Sequence, residues 1–119
     1  MKHINWDNIP FEQINPHFKR KLAWDGQVMI ARTDVEGGYV VPLHKHPNEQ
    51  VTWVMSGKWR FHLEGKVVDV GPGEMIFIPG NVEHRVEALE TLVAYDIFTP
   101  PRQDWLTGAD AYLRDTASA

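Results

Sequence analysis

Apolar and polar positions alternate in short runs along most of this chain. In "KWRFHL" the apolar Trp59, Phe61 and Leu63 interleave with Lys58, Arg60 and His62, the period-two pattern of a strand with one face in a core. In "TLVAYDIF", parity puts Leu92, Ala94, Asp96 and Phe98 on one face and Val93, Tyr95 and Ile97 on the other. "QVMIART", "GYVVPL", "QVTWVM", "KVVDV", "EMIFI" and "NVEHRVEA" are further β-rich runs. Tight-turn signals separate several of them: "SGK", "LEGK", "VGPGE" and "IPGN". Short strands at this spacing predict one all-β sandwich or barrel. The chain before Lys21 reads as an extended arm or edge segment, and its "KRK" run (Lys19 to Lys21) as a solvated patch. The tail "QDWLTGADAYLRDTASA" predicts one short helix that fades into disordered small polar residues.

Composition narrows the class without naming a function. The 119 residues predict a single domain, 1–119, large enough to hide roughly two-thirds of its unfolded surface. No apolar run approaches ~18 residues, and "MKHINWDNIPFEQ" lacks the apolar core of a signal peptide. The absence of cysteine excludes disulfides and thiolate ligands and makes a cytoplasmic location the expectation. A formal net charge of −4 argues against nucleic acid as a partner, and nothing points to a membrane.

The chemistry concentrates in "PLHKHPNEQVTWV". In an extended segment His44 and His46 point the same way, and two imidazoles on one face can chelate a cation. Gln50 shares their parity and Glu49 does not, provided the Pro47–Asn48 corner preserves the count. An isolated H-x-H is more often a surface pair beside a turn than a ligand pair. The surrounding spacing changes that weight. Gly38, His44, His46, Gln50 and Gly57 fit G-x5-H-x-H-x3-E-x6-G with glutamine in the glutamate's place, and Gly73, Pro79 and His84 fit G-x5-P-x-G-x2-H-x3-N. The second pattern departs at Asn81, where it has glycine, and at Ala88, where it has asparagine. Asparagine tolerates a left-handed backbone, so the turn at Asn81 is feasible.

This two-part pattern resembles the cupin superfamily, with core motifs over about 38–105. The resemblance implies a jelly-roll-like β-barrel with an N-terminal arm and a short C-terminal tail. It also implies one divalent metal ion per chain, held inside the barrel by His44, His46, Gln50 and His84. Ligand type admits Ni, Fe, Zn, Co or Mn. Glutamine leaves the ion its full charge, which makes a stronger Lewis acid and attracts anions. Among the other histidines, His62 alternates with Lys58 and Arg60 and reads as surface, and His3 and His17 as solvated. Glu49 should face outward. The arm and the edges of an open sheet predict a homodimer.

Asp96 is the one charged residue on an otherwise apolar face, and Pro100–Pro101 end its strand four residues later. Either the strand end is wet there, or a half-buried carboxyl is held near a cation as a general acid or base. The segments "HKHPNEQ", "IPGNVEH", "DIFTPPRQDW" and "IPFEQINPHFKRKLA" resemble one group of small cupins in particular, those that linearise unsaturated uronates in pectin and alginate breakdown. That resemblance implies an enzyme acting on a small anionic sugar, with catalytic residues at Asp96, Phe98 and Arg102. Asp96 would move a proton, Arg102 hold the substrate carboxylate and Phe98 pack on the sugar face. Two alternatives stay open: a cupin dioxygenase or other metal isomerase, marked by O₂ uptake or redox-active iron, and a non-enzymatic sugar-acid sensor.

Overall fold

The alternating runs fold into antiparallel strands in the computed structural model, which describes residues 1–114. After a short 3-10 turn at Trp6–Asn8 come β1 (Glu12–Asn15), β2 (Phe18–Asp25), β3 (Val28–Val35), β4 (Val40–His44) and β5 (Glu49–Ser56). β6 (Trp59–Leu63), β7 (Lys66–Val70), β8 (Met75–Ile78), β9 (His84–Ala88) and β10 (Leu92–Thr99) complete the set. One sheet runs β1-β2-β3-β10-β5-β8 and the other β4-β9-β6-β7. Their inner faces enclose Met29, Ala31, Val54, Phe61, Ile78, Leu92 and Ala94, all buried. The all-β barrel expected from the pattern is therefore what forms, and every one of the eight apolar runs lies on a strand.

Two segments differ from their sequence reading. The "KRK" run is not a solvated patch: it sits in β2, with Arg20 fully buried and Lys21 nearly so. Arg20 pairs with buried Asp110 at 2.8 Å and stacks on Trp105. Lys21 donates to the carbonyl of Trp6, with the rings of Trp6 and Phe11 over its ammonium. Amphipathic basic side chains can hide their stems when aromatic groups and a carboxylate meet their heads, and the arm supplies both rings. The tail forms two short helices where one was expected, α1 (Gln103–Thr107) and α2 (Ala111–Arg114), separated by Gly108, whose φ of 78° stops the first. The disorder expected at the extreme C-terminus falls on residues 115–119, outside the described residues.

Two glycines let distant loops touch. At Gly80 an added Cβ would stand 2.4 Å from the carbonyl oxygen of Pro47. Beside it, Asn81, in the left-handed region at φ 63°, donates its backbone N–H to the carbonyl of His46 at 2.7 Å. The turn before His84 is thus laced directly to the turn after His46. At Gly57, φ is 76° and a Cβ would lie 2.3 Å from the carbonyl oxygen of Thr91.

Gly57→Ala should therefore lose stability twice, through left-handed strain of roughly 1–2 kcal/mol and overpacking of about 1–3 kcal/mol. Thermal unfolding should fall by roughly 10 °C or more. An unchanged melting temperature would show that the β5–β6 turn can relax away from Thr91.

Candidate metal centre

Strand ends bring the histidines together. His44 closes β4 and His84 opens β9, and the two are partners in the antiparallel register. His46 lies in the turn just past β4, and Gln50 enters from β5 in the opposite sheet. Ring centres are 4.2 Å apart for His44 and His84 and 5.1 Å for His46 and His84. One ligand nitrogen from each of the three lies within 4.8 Å of the others.

The backbone fixes which nitrogen each ring offers. A carbonyl only accepts, so a ring nitrogen bonded to one must carry the proton. His44 Nδ1 donates to Pro42 at 2.7 Å, His46 Nδ1 to Asn48 at 3.0 Å and His84 Nδ1 to Val82 at 2.9 Å. Every ring therefore presents a bare Nε2 lone pair. Burial first, then neighbouring charge, pushes His44 and His46 down to about 4, and burial also lowers His84. All three are neutral near pH 7, the form that ligates.

Among the described residues these lone pairs lack protein donors. His84 Nε2 is buried with no hydrogen-bond partner among the described residues. His46 Nε2 faces Gln50 Oε1 at 3.1 Å, and both atoms are acceptors, because the Gln50 amide nitrogen donates to Thr52 Oγ1 at 2.8 Å. Buried acceptors pointed at one another cost free energy unless something electropositive joins them. A divalent cation fits that demand, and the N3O donor set suits a borderline transition metal.

A cavity of about 50 Å³ adjoins the centre, lined by His44, Gln50, His84, Asp96, Phe98 and Arg102 together with Thr52, Trp105 and Tyr112. Asp96 lies opposite Thr52 and Phe98 opposite Gln50 in the β10–β5 register. Asp96 is only 8% exposed and accepts from Thr52 Oγ1 at 2.5 Å. Burial pushes its pKa up to about 6, against the Thr52 hydrogen bond and the Arg102 charge. A strand end wetted by solvent would show neither feature. Phe98 is buried edge-on to His46 and Trp105.

The Arg102 guanidinium already has partners of its own. Asp104 takes Nε at 2.9 Å and Nη2 at 2.6 Å, and Nη2 also donates to Tyr112 at 2.5 Å. Phe98 and Trp105 lie under its plane. The guanidinium is fully buried, and its compensating charge is already in place. Only Nη1 is left out of these bonds.

Asn48, Thr52, Trp105 and Tyr112 escaped the sequence reading. Asn48 Nδ2 donates to the carbonyls of Pro100 at 2.6 Å and Pro101 at 3.2 Å, tying the turn beyond His46 to the segment before Arg102. Parity with Gln50 along β5 could have placed Thr52 on the inner face. No local signal places Tyr112 over His44. The remaining histidines stay outside the cavity: His3 and His17 are exposed, His17 pairing with Glu36, and His62 pairs with Glu87 on the outer face. Glu49 is exposed.

Comparison with known proteins places this geometry in context. A family model described as Cupin domain matches residues 31–98. KdgF from Halomonas sp. superposes with a TM-score of 0.80 at 25% identity, over 88% of this chain and 98% of that one. An RmlC-like cupin from Shewanella frigidimarina superposes at 0.81 with 22% identity, over 88% and 96% of the two chains. The L-ectoine synthase of Mycobacteroides abscessus is 29% identical over 89 residues, 71% of this chain and 68% of that protein.

Purified protein should carry one divalent ion per chain, removable by chelator and lost in His84→Ala. Elemental analysis reads this directly, and metal content unchanged in that variant would overturn the assignment.

Proposed function

The chain belongs to the cupin domain family, and from that premise we propose that it opens 4,5-unsaturated uronate monosaccharides, released by pectin or alginate lyases, into linear 5-keto-4-deoxyuronates. One observation carries the reading: a buried carboxyl with a pKa raised to about 6 shares a cavity with a guanidinium and with converging imidazole lone pairs. The likeness to KdgF supports it.

The net change is an isomerisation. The C1–O5 bond breaks, the C1 hydroxyl gives up its proton as C1 becomes a carbonyl, and O5 stays on C5 as an enol. C4 then gains a proton as C5 becomes a ketone, so no oxidant, reductant or water is consumed. Asp96 supplies the proton at C4, directly or through one water, and recovers one at the expense of O1. A carboxyl poised near pH 6 can both give and take a proton at neutral pH. Arg102 Nη1 faces the substrate carboxylate, and the Phe98 ring packs on the sugar. His44, His46, Gln50 and His84 would hold a divalent ion, which when bound supplies an electrophile for developing oxygen charge. Excluding water behind Trp105 and Phe98 strengthens each of these contacts. The absence of cysteine supports a cytoplasmic setting.

A second copy of the chain completes this reading. The arm covers only one half of the six-stranded sheet's outer face, around Lys21, Arg32 and Tyr95. The other half leaves Ile30, Trp53, Met75 and Phe77 exposed, the last at 71%. Ile30 and Phe77 join through Ile97 and Val51, Trp53 pairs with Met75 in the next row, and among the described residues β8 at the border is an unpaired edge. A continuous apolar patch ending in an open edge suits a self-complementary two-fold contact. Light scattering should give twice 13.7 kDa, and Phe77→Asp should halve it with metal retained. A wild-type protein monomeric at micromolar concentration would end the dimer.

The similarity to the L-ectoine synthase favours a second reading, a synthase reaction on another substrate at the same donors. One assay separates the two. Metal-loaded protein mixed with a lyase-generated unsaturated monouronate should bleach the ultraviolet absorbance of the conjugated double bond. Asp96→Asn should lower kcat by ~10²–10⁴ while raising stability. The folded carboxyl titrates at about 6 against an ordinary 3.8, so its burial is unfavourable above pH 6 and costs little at pH 4. The variant's melting temperature in chelator should therefore exceed wild type at pH 7.5 and match it at pH 4. Full turnover in Asp96→Asn, or no bleaching by wild type, would sink the uronate reading.

A further inference from the structure

The hydroxyl of Tyr112 receives two hydrogen bonds and, among the described residues, gives none. Arg102 Nη2 donates to it at 2.5 Å and Trp105 Nε1 at 3.3 Å. A phenol oxygen has two lone pairs and one proton, so both acceptor positions are spent and the proton is not. Among the described residues no acceptor faces that proton, and Tyr112 lines the cavity with Asp96 and Arg102. Two incoming donors polarise the O–H and strengthen it as a donor in turn.

The ring is held where that proton is useful. It stacks on His44 with centres 4.8 Å apart and planes 25° from parallel. Its backbone is pinned on both sides. Buried Asp110 pairs with Arg20 at 2.8 Å and Arg114 at 2.7 Å, and the carbonyl of Leu113 accepts from Asn15 at 2.9 Å and Tyr39 at 3.1 Å. Between these anchors the Tyr112 side chain is half-buried at the cavity wall.

Arg102 has the complementary deficit: with Nε committed to Asp104 and Nη2 to Asp104 and Tyr112, it offers a carboxylate one nitrogen, Nη1, where a free fork would offer two. From this we propose that the Tyr112 hydroxyl supplies the second donor, so that Tyr112 and Arg102 Nη1 together hold the carboxylate of the ligand and select acids over neutral sugars. The proposal rests on the uronate reading for the identity of that acid.

Tyr112→Phe keeps the stacked ring but removes the hydroxyl both as a donor and as the acceptor of Arg102 Nη2 and Trp105 Nε1, so metal content should match wild type while the melting temperature falls by roughly several degrees. Calorimetry of the metal-loaded protein would use D-galacturonate, a saturated uronate that cannot react, with acetate as a minimal carboxylate and D-galactose as the neutral sugar. The variant should bind both acids roughly tenfold to a hundredfold more weakly, and its preference for D-galacturonate over D-galactose should fall by the same factor. With an unsaturated uronate, KM should rise more than kcat falls. If Tyr112→Phe binds both acids as tightly as wild type, Tyr112 is only wall, and bleaching of the unsaturated substrate leaves the uronate reading standing. If acetate binding depends on Tyr112 but no uronate is bound or turned over, the uronate reading falls and the donor role stands. If wild type binds neither acid, both fall.

Discussion

Three N–H···O=C hydrogen bonds set the chemistry of this protein. Each ligand-face imidazole spends its Nδ1 proton on a backbone carbonyl two residues away, which forces its other nitrogen to be a lone pair and fixes the plane of the ring. The local spacing makes this possible: a strand end or turn places the carbonyl of one residue beside the side chain two positions along. Convergence of the three lone pairs is then a matter of register. His44 faces His84 across β4 and β9, and the turn that carries His46 is stitched to the turn before His84 by Asn81 and the absent side chain of Gly80. A cluster of bare buried nitrogens costs stability until a cation arrives, so the fold keeps it rigid from outside, with β-ladder bonds on one flank and Asn48 on the other.

Burial acts on the cavity's charged groups in opposite ways because their neighbours differ. Asp96 has one neutral donor, Thr52, and its pKa rises into the range where a proton can be exchanged near neutrality. Arg102 is as deeply buried, yet Asp104 and Tyr112 outweigh the desolvation and hold its charge firmly. Proximity alone does not neutralise Asp96, since the guanidinium's bidentate edge already belongs to Asp104. Two carboxylates near one arginine are thus given different jobs: one fixes a charge in place, and the other stays free to change its own.

The sequence disclosed what depends on local period and spacing. Alternation in "KWRFHL" and "TLVAYDIF" was enough for β6 and β10, and parity was enough to put Asp96 and Phe98 on the inner face with Leu92 and Ala94. What stayed hidden depends on contacts between distant segments. Lys19 to Lys21 looked wet because nothing nearby in sequence announces that Trp6, Phe11 and Asp110 will cover them. Tyr112 looked like part of a polar tail because its partners, His44 and Arg102, lie 68 and 10 residues away. The Asp104 ligature of Arg102 has the opposite lesson. Two residues apart, it was visible as a pair, but whether a carboxylate completes an arginine or a substrate does is decided by three-dimensional fit.

Charge bookkeeping explains why glutamine at position 50 suits an anionic ligand. Arg20 is balanced by Asp110 and Arg102 by Asp104, and the three histidines are neutral at pH 7. Gln50 adds no charge, which leaves Asp96 as the one side chain of the cavity able to offset a bound cation. A divalent ion would therefore keep a net charge of at least +1 in a dry, low-dielectric space, where an unbalanced charge is costly. A carboxylate entering the cavity removes that cost, so its attraction grows from the same burial that makes the uncompensated charge unfavourable. Glutamate at this position would satisfy the cation from within the protein and leave the ligand correspondingly less to do.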